Sequence, residues 1–254
     1  MIHPKVPDRA SGLTILHVTD THVRRDRDRY RALCDVLARI RVDLILLTGD
    51  YMTHPGDERV ALRVFGRMAE AWNARLGAWG VFGNHDSPAF RRAVRRIPGV
   101  HWLDPGCHDL PEWGLRLMGT SWPEDWTRLA LLDRASPAPD DVLRLALVHT
   151  PAALPAAASF GVDLMLAGHT HGGQIRVRVP RLLNWAPHTS TDLHRHHPSG
   201  ILRLRDTLCC ISRGLGEQIV EFRVQCPVQL PLYTLRTGPA PGRASERITQ
   251  AVDW

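Results

Sequence analysis

The chain has 254 residues, 44% of them hydrophobic and 23% charged, with a formal net charge of +6. That balance is the one of an ordinary globular protein, long enough for a real core and in no need of a disulfide framework. The excess charge is mostly arginine and is dispersed in short pairs such as Arg24-Arg25 and Arg91-Arg92, so it reads as a solvated surface that tolerates an anionic partner but does not demand one.

The opening segment, 1–11, is polar and proline-containing and is expected to be loose. An apolar β-type run, LTILHVT (13–19), stops at Asp20. The following YRALCDVLARI puts Tyr30, Leu33, Cys34 and Leu37 on one helical face. A buried strand, VDLILLT (42–48), stops at Gly49-Asp50. Asp57 to Trp72 then reads as a helix with Leu62, Phe65, Met68, Ala69 and Trp72 as its apolar stripe. AWGVF (78–82) is a strand that ends at Gly83-Asn84-His85-Asp86. Ser87 followed by Pro88 is an N-cap and first position for another helix, with Phe90, Val94 and Ile97 facing inward.

The second half is richer in strands: LRLMGTS (115–121), LRLALVH (143–149), VDLMLAG (162–168), then QIRVRV, ILRLR, TLCCIS and LPLYTLR. Residues 151–161 suggest a short helix interrupted by Pro155, and 181–200 a long loop holding Trp185, His188, His194, His196 and His197. The stretch 121–140 is also read as a loop, and the tail 238–254 as flexible, which leaves one domain over 12–237. Strands alternating with helices give an α/β layered fold.

Polar residues fall where ligands of such folds gather. Asp20, Asp50, Asn84, His149 and His169 each follow the carboxyl end of an apolar strand. His22, His85 and His171 lie beside them. Capping and turn chemistry explains any one of these singly, since Asp and Asn favour turns, but not the ordered set. Carboxylates, imidazoles and one amide suit Mn, Fe or Zn better than an all-oxygen calcium site or an all-thiolate site. Carboxylates converging without a cation would repel each other, and a pair of divalent ions removes that cost. Two such ions can share one carboxylate and a hydroxide and clamp a phosphoryl group for in-line attack. Asp50, at the end of a central strand, is the choice for the shared carboxylate. His85, beside Asn84, can protonate the leaving oxygen or position ligands.

In order, the blocks Asp20-Thr21-His22, Gly49-Asp50, Gly83-Asn84-His85-Asp86, the isolated His149 and Gly168-His169-Thr170-His171 resemble the calcineurin-like metallophosphoesterases. GHTHGGQI (168–175) with SRGLG (212–216) resembles a narrower bacterial group of phosphodiesterases. The resemblance spans about residues 12 to 237. It implies two mixed β-sheets sandwiched between helical layers, with a dimetal site at the strand ends. It implies that Asp20, His22, Asp50 and His171 hold one ion, that Asp50, Asn84, His149 and His169 hold the other, and that His85 is the acid. The chain departs from the protein phosphatases of the superfamily. Thr53 and His54 stand where those carry Asp and Arg, and Phe82 where they carry another Arg. A phosphoprotein substrate is therefore not expected.

The expected function is a metal-dependent hydrolase of phosphoric esters, diesters over monoesters, attacking through a metal-bridging hydroxide. Its substrate would be a small molecule or a lipid headgroup. A cyclic-nucleotide or nucleotide-derived phosphoesterase, a nuclease and a non-catalytic metal-binding scaffold are the alternatives. No aromatic-basic groove favours nucleic acid. Arg213 could grip a phosphate or sit on the surface. No apolar run approaches the roughly 18 residues of a membrane span, and MIHPKVPDRASG has no signal-peptide core. Five cysteines without C-x-x-C read as reduced thiols. A cytoplasmic location follows as the expectation, with room for peripheral association with a membrane.

Overall fold

The computed structural model describes residues 1–139, 141–179, 183–185, 198–241 and 249–252. In chain order the first elements are β1 (Ile2–His3), β2 (Thr14–Val18), α1 (Asp28–Arg39), β3 (Arg41–Val42), β4 (Leu44–Thr48), α2 (Glu58–Ala71), β5 (Asn73–Ala74) and β6 (Ala78–Val81). Next come α3 (Pro88–Val94), β7 (Val100–Trp102), β8 (Gly106–Leu110), β9 (Leu115–Gly119), α4 (Trp126–Ala135), β10 (Leu143–Leu147), α5 (Leu154–Ser159) and β11 (Leu164–Ala167). The last are β12 (Val177–Val179), β13 (Leu183–Trp185), β14 (Gly200–Leu204), β15 (Thr207–Ile211), β16 (Leu232–Thr234), β17 (Arg236–Thr237) and β18 (Thr249–Val252).

Two mixed sheets form the body. One has the order β16-β2-β4-β6-β7 and the other β18-β14-β15-β11-β10-β9-β8. β2, β4, β6 and β7 run parallel, as do β9, β10, β11 and β15. Their side chains alternate with period two, and both faces are buried. Along β4, Leu44 and Leu46 enter the core between the sheets, while Ile45 and Leu47 face the helices. The inter-sheet core joins Ile15, Leu44 and Leu46 to Leu145, Leu147 and Leu166. α1, α2 and α3 cover the outer face of the first sheet through Tyr30, Leu37, Phe65, Met68 and Phe90. α5 covers part of the other sheet through Leu154 and Ala157. The result is the helix–sheet–sheet–helix sandwich that the resemblance implies. Cys209 and Cys210 face opposite cores, and all five thiols are free.

Four expectations are corrected. The first residues are not loose: β1 pairs with β17, Val6 and Ala10 are buried, and the terminal amine donates to the Thr234 carbonyl. The tail is not wholly flexible, because β18 pairs with β14. The 121–140 stretch contains α4, capped by the Asp125 side chain on Arg128 N at 2.8 Å. Asp133 of α4 binds Arg116 and Arg144 on the sheet, both at 2.7 Å. The loop expected over 181–200 includes β13, paired with β12; its histidines at 188, 194, 196 and 197 lie outside the described residues. Among the described residues, no helix is long and apolar enough to cross a membrane.

Candidate metal centre

Parallel strands bring their carboxyl ends to one rim of each sheet, and the polar clusters sit there. Asp20 follows β2, Asp50 follows β4, Asn84 and His85 follow β6, His149 follows β10, and His169 and His171 follow β11. The chain turns sharply at these points. Asp20, His22, Asp50, His169 and His171 have φ of 50°, 44°, 56°, 67° and 51°, in the left-handed region that L-residues avoid. Neighbouring loops hold them there: Asp20 N donates to the Gly49 carbonyl at 2.9 Å and His22 N to the Asp50 carbonyl at 3.1 Å. Gly83 and Gly168 allow the close approach, since a Cβ at either would overlap a carboxylate oxygen of Asp50 or Asp20.

Two groups of ligating atoms result. Asp20, His22 and His171 form one, Asp50, His149 and His169 the other; within each the atoms lie within 4.8 Å of one another. His22 Nε2 faces His171 Nε2 at 3.1 Å, and His149 Nε2 faces His169 Nδ1 at 3.0 Å. Asp50 Oδ2 lies between the groups, 3.3 Å from His22 Nε2 and 3.1 Å from His149 Nε2. His149 Nδ1 donates to the Thr48 carbonyl at 2.7 Å, which leaves Nε2 as the nitrogen aimed into the site. Atoms bound at right angles to one ion with bonds of about 2.1 Å stand about 3 Å apart. Paired imidazole nitrogens at that spacing, beside buried carboxylates, fit cations.

Electrostatics agree. Burial pushes the Asp20 carboxyl above its ordinary value. Burial acts on Asp50 in the same direction, but His149 and His22 outweigh it and hold the carboxyl well below that range. Burial disfavours the His149 cation, yet the Asp50 carboxylate overrides it and raises the ring to about 10. Burial, reinforced by the His149 charge, lowers His169 to about 3. Burial and the His22 charge also lower His171 well below its ordinary value. Without a cation, a proton shared by His149 and Asp50 does the neutralising; a dication would displace it.

His85 stands beside these groups. Its backbone N–H donates to Asp50 Oδ1 at 2.8 Å, its Nδ1 to the Thr53 carbonyl at 2.7 Å, and its Nε2 meets the Gln218 amide at 2.8 Å. The Thr53 backbone therefore orients the ring. The Asp86 carboxylate instead accepts from the backbone N–H of Asp50, Tyr51 and Gly83 at 2.9, 2.8 and 2.8 Å, pinning two strand-end loops together. Burial and the Asp50 charge raise Asp86 to about 7. Asn84 is exposed and, with His85, Thr53, Pro55, Trp122 and Pro123, lines an open groove of about 680 Å³. Trp122 lies nearly parallel to the His169 ring, 6.3 Å between centroids.

Three residues escaped the sequence reading. Gln174 donates to the Val220 and Phe222 carbonyls at 2.7 and 3.1 Å and accepts from Gln218 N at 2.9 Å, so it ties the 217–224 loop to the histidine hairpin. Gln218 then reaches His85. Arg223 donates to the His171 carbonyl at 3.0 Å and the Arg213 carbonyl at 2.8 Å, bracing the His171 turn. Gln174 had a signal, its place directly after His171-Gly172-Gly173. Gln218 and Arg223 had none, lying in a loop without periodicity. The Arg213 stem crosses Gly172, where a Cβ would strike it.

Comparison with known proteins gives a consistent result. The sequence profile of calcineurin-like phosphoesterases matches residues 13–173. The phosphodiesterase YaeI of Escherichia coli (strain K12) is 30% identical over 240 residues, covering 90% of this chain and 84% of that one. The uncharacterized metallophosphoesterase YkuE of Bacillus subtilis (strain 168) is 24% identical over 251 residues, covering 91% and 82%. A second such protein from that organism, YkoQ, is 27% identical over 232 residues, covering 84% and 79%.

Proposed function

Because the chain belongs to the calcineurin-like phosphoesterase family, we propose that it hydrolyses phosphate esters with a pair of divalent ions, diesters in preference to monoesters. The strongest support is Asp50 Oδ2, within 3.3 Å of His22 Nε2 and 3.1 Å of His149 Nε2, because one carboxylate oxygen then serves both ligand groups. Asp20, His22, Asp50 and His171 would hold one ion, and Asp50, Asn84, His149 and His169 the other. Mn, Fe and Zn all suit this donor set. When bound, such a pair lowers the pKa of water and draws negative charge from the phosphoryl group.

The protein's own groups do the rest. His85 delivers a proton from Nε2 to the leaving oxygen, with Nδ1 fixed by the Thr53 carbonyl. The Gln218 amide can donate to a bare Nε2 or, turned over, accept from a protonated one, and the leaving group displaces it. Trp122 and Pro123 wall the groove against water on one side.

Diester preference rests on charge and shape. A monoester dianion needs cations beyond the ions themselves. Arg91 is the arginine of the described groove lining, and its guanidinium is already bound to the carbonyls of Asp86, Gly83 and Trp122 at 2.8, 2.7 and 3.0 Å. A diester monoanion asks for less charge and offers a second organic arm to the Pro55 and Trp122 walls. The relative named a phosphodiesterase points the same way. The substrate is a small phosphodiester or a lipid headgroup.

The test compares bis(p-nitrophenyl) phosphate with p-nitrophenyl phosphate, with Mn²⁺, with chelator, and with Asp50→Asn as blank. Metal-dependent cleavage of the diester over the monoester is expected. Preference for the monoester overturns the diester reading; metal-independent turnover, or none of either ester, overturns the hydrolytic mechanism.

A further inference from the structure

The segment between β15 and β16 has an unusual outer surface. Ile219, Phe222, Val224 and Val228 are exposed by 66%, 55%, 41% and 48% within the ten residues 219–228. Their exposure is not that of a slack loop, because the segment is tied down from below. Gln174 holds the carbonyls of Val220 and Phe222. Arg223 turns inward to His171 and Gly216, and the Cys226 thiol is buried against the carbonyls of His171 and Gly172, both at 3.3 Å. The chain thus fixes its polar and small groups inward and large apolar ones outward.

A basic rim borders this tip. Glu221 is paired with Arg27, and lies 3.9 Å from both Arg24 and Arg25; Glu217 is paired with Arg29. Asp26 and Asp28 of the same stretch pair with Arg67 and Arg31, so six arginines face four carboxylates and the rim stays positive, with the side chain of Arg25 73% exposed. Apolar side chains projecting from a braced loop, ringed by arginine, match the interfacial region of an anionic bilayer: the apolar groups enter the acyl boundary while the guanidiniums meet phosphates. A protein partner would need a surface shaped to these side chains, whereas a bilayer accepts exposed apolar groups beside cations without such a fit.

We propose that the 219–228 loop and the arginine rim at 24–27 dock this protein on an anionic phospholipid surface. Gln218 directly precedes this loop and its amide touches His85 Nε2 at 2.8 Å, so docking brings the groove beside the headgroup layer. The docking itself rests on the patch alone and not on the hydrolytic reading.

The experiment is co-sedimentation of the full chain with vesicles of phosphatidylcholine, and with vesicles of equal parts phosphatidylcholine and phosphatidylglycerol. The protein should sediment with the anionic vesicles and stay in solution with the neutral ones. Ile219→Asp combined with Phe222→Asp should lower partitioning at least about tenfold, and Arg25→Glu about fivefold with a weaker salt dependence. Both variants replace exposed side chains, so an unchanged melting temperature shows that they fold. No sedimentation of the wild type with anionic vesicles overturns the proposal, as does wild-type binding by the folded double variant. So does light scattering that shows a dimer dissolved by the double variant without vesicle binding. Vesicle binding with no ester hydrolysis leaves docking standing and refutes the catalytic reading instead.

Discussion

The two sheets bring unlike chemistry to their shared rim. From the five-stranded sheet come the carboxylates Asp20 and Asp50, the Asn84 amide, and His22 and His85. From the seven-stranded sheet come imidazoles only: His149, His169 and His171. Each half is wrong for a metal by itself. The first concentrates negative charge that burial makes unfavourable, as the raised Asp20 carboxyl shows. The second has no negative charge to attract a dication: burial lowers His169 to about 3, and the His149 cation exists only because the Asp50 carboxylate of the other half raises that ring to about 10. The halves meet only because the inter-sheet core aligns the strand ends. Even the tautomer of His149 is set across that seam, by the Thr48 carbonyl of β4 at 2.7 Å. An ion bound here would brace one sheet against the other.

Removing the atom that joins the halves should have the largest effect. Asp50→Asn is expected to cost about a thousandfold in turnover and to leave less than one ion per chain, read by diester hydrolysis and elemental analysis of the purified protein. A variant that kept two ions would break the picture of a seam carboxylate. His85→Ala removes a group of the first sheet that is proposed as the acid and assigned to neither ion. It should keep both ions and lose about a hundredfold with alkyl leaving groups but little with p-nitrophenolate, which departs without a proton. Equal losses for both leaving groups would make His85 a positioning residue.

Arg223→Gln loosens the imidazole half without replacing a ligand. The His171 turn would lose its brace, and metal affinity should fall about tenfold, measured by competition with a chromogenic chelator. The smallest effect belongs beneath the carboxylate half. His17 on β2 is buried, bonded through Nε2 to Thr48 Oγ1 at 2.8 Å, and burial lowers its pKa to about 3. A depressed histidine contributes stability that is full above the unfolded pKa and is lost as pH falls from about 6.5 toward 3. His17→Gln should remove up to about 1.4 kcal/mol per pH unit of that acid slope, read from urea unfolding across the window. An unchanged slope would show that His17 is not the group that titrates.

Much of this was written in the chain in readable form. Each candidate ligand follows an apolar run, so a strand and the polar residue at its end could be found together. Packing of one sheet on the other then carried Asp50 to His149 across nearly a hundred positions, which no local pattern contains. What stayed illegible was long-range or unpatterned. β1 pairs with β17 from the far end of the chain, so its polar surroundings suggested looseness. In α4 only Leu129 is fully buried, and the helix is held by Asp133 to Arg116 and Arg144, leaving no apolar stripe to see. The loop that supplies Gln218 and Arg223 acts through carbonyls and one amide, contacts with no sequence period.

The five left-handed residues at the rim have a consequence for how such chains change over time. Winding L-residues this way costs roughly 1–2 kcal/mol each, less for aspartate, and glycine would relieve it at every one of them. A lineage freed from the need to ligate would gain stability by drifting to glycine at His22, His169 and His171. A laboratory screen that rewards heat resistance alone would erode the centre in the same order. Bulky imidazoles on these turns therefore stand against the preference of the chain's own backbone.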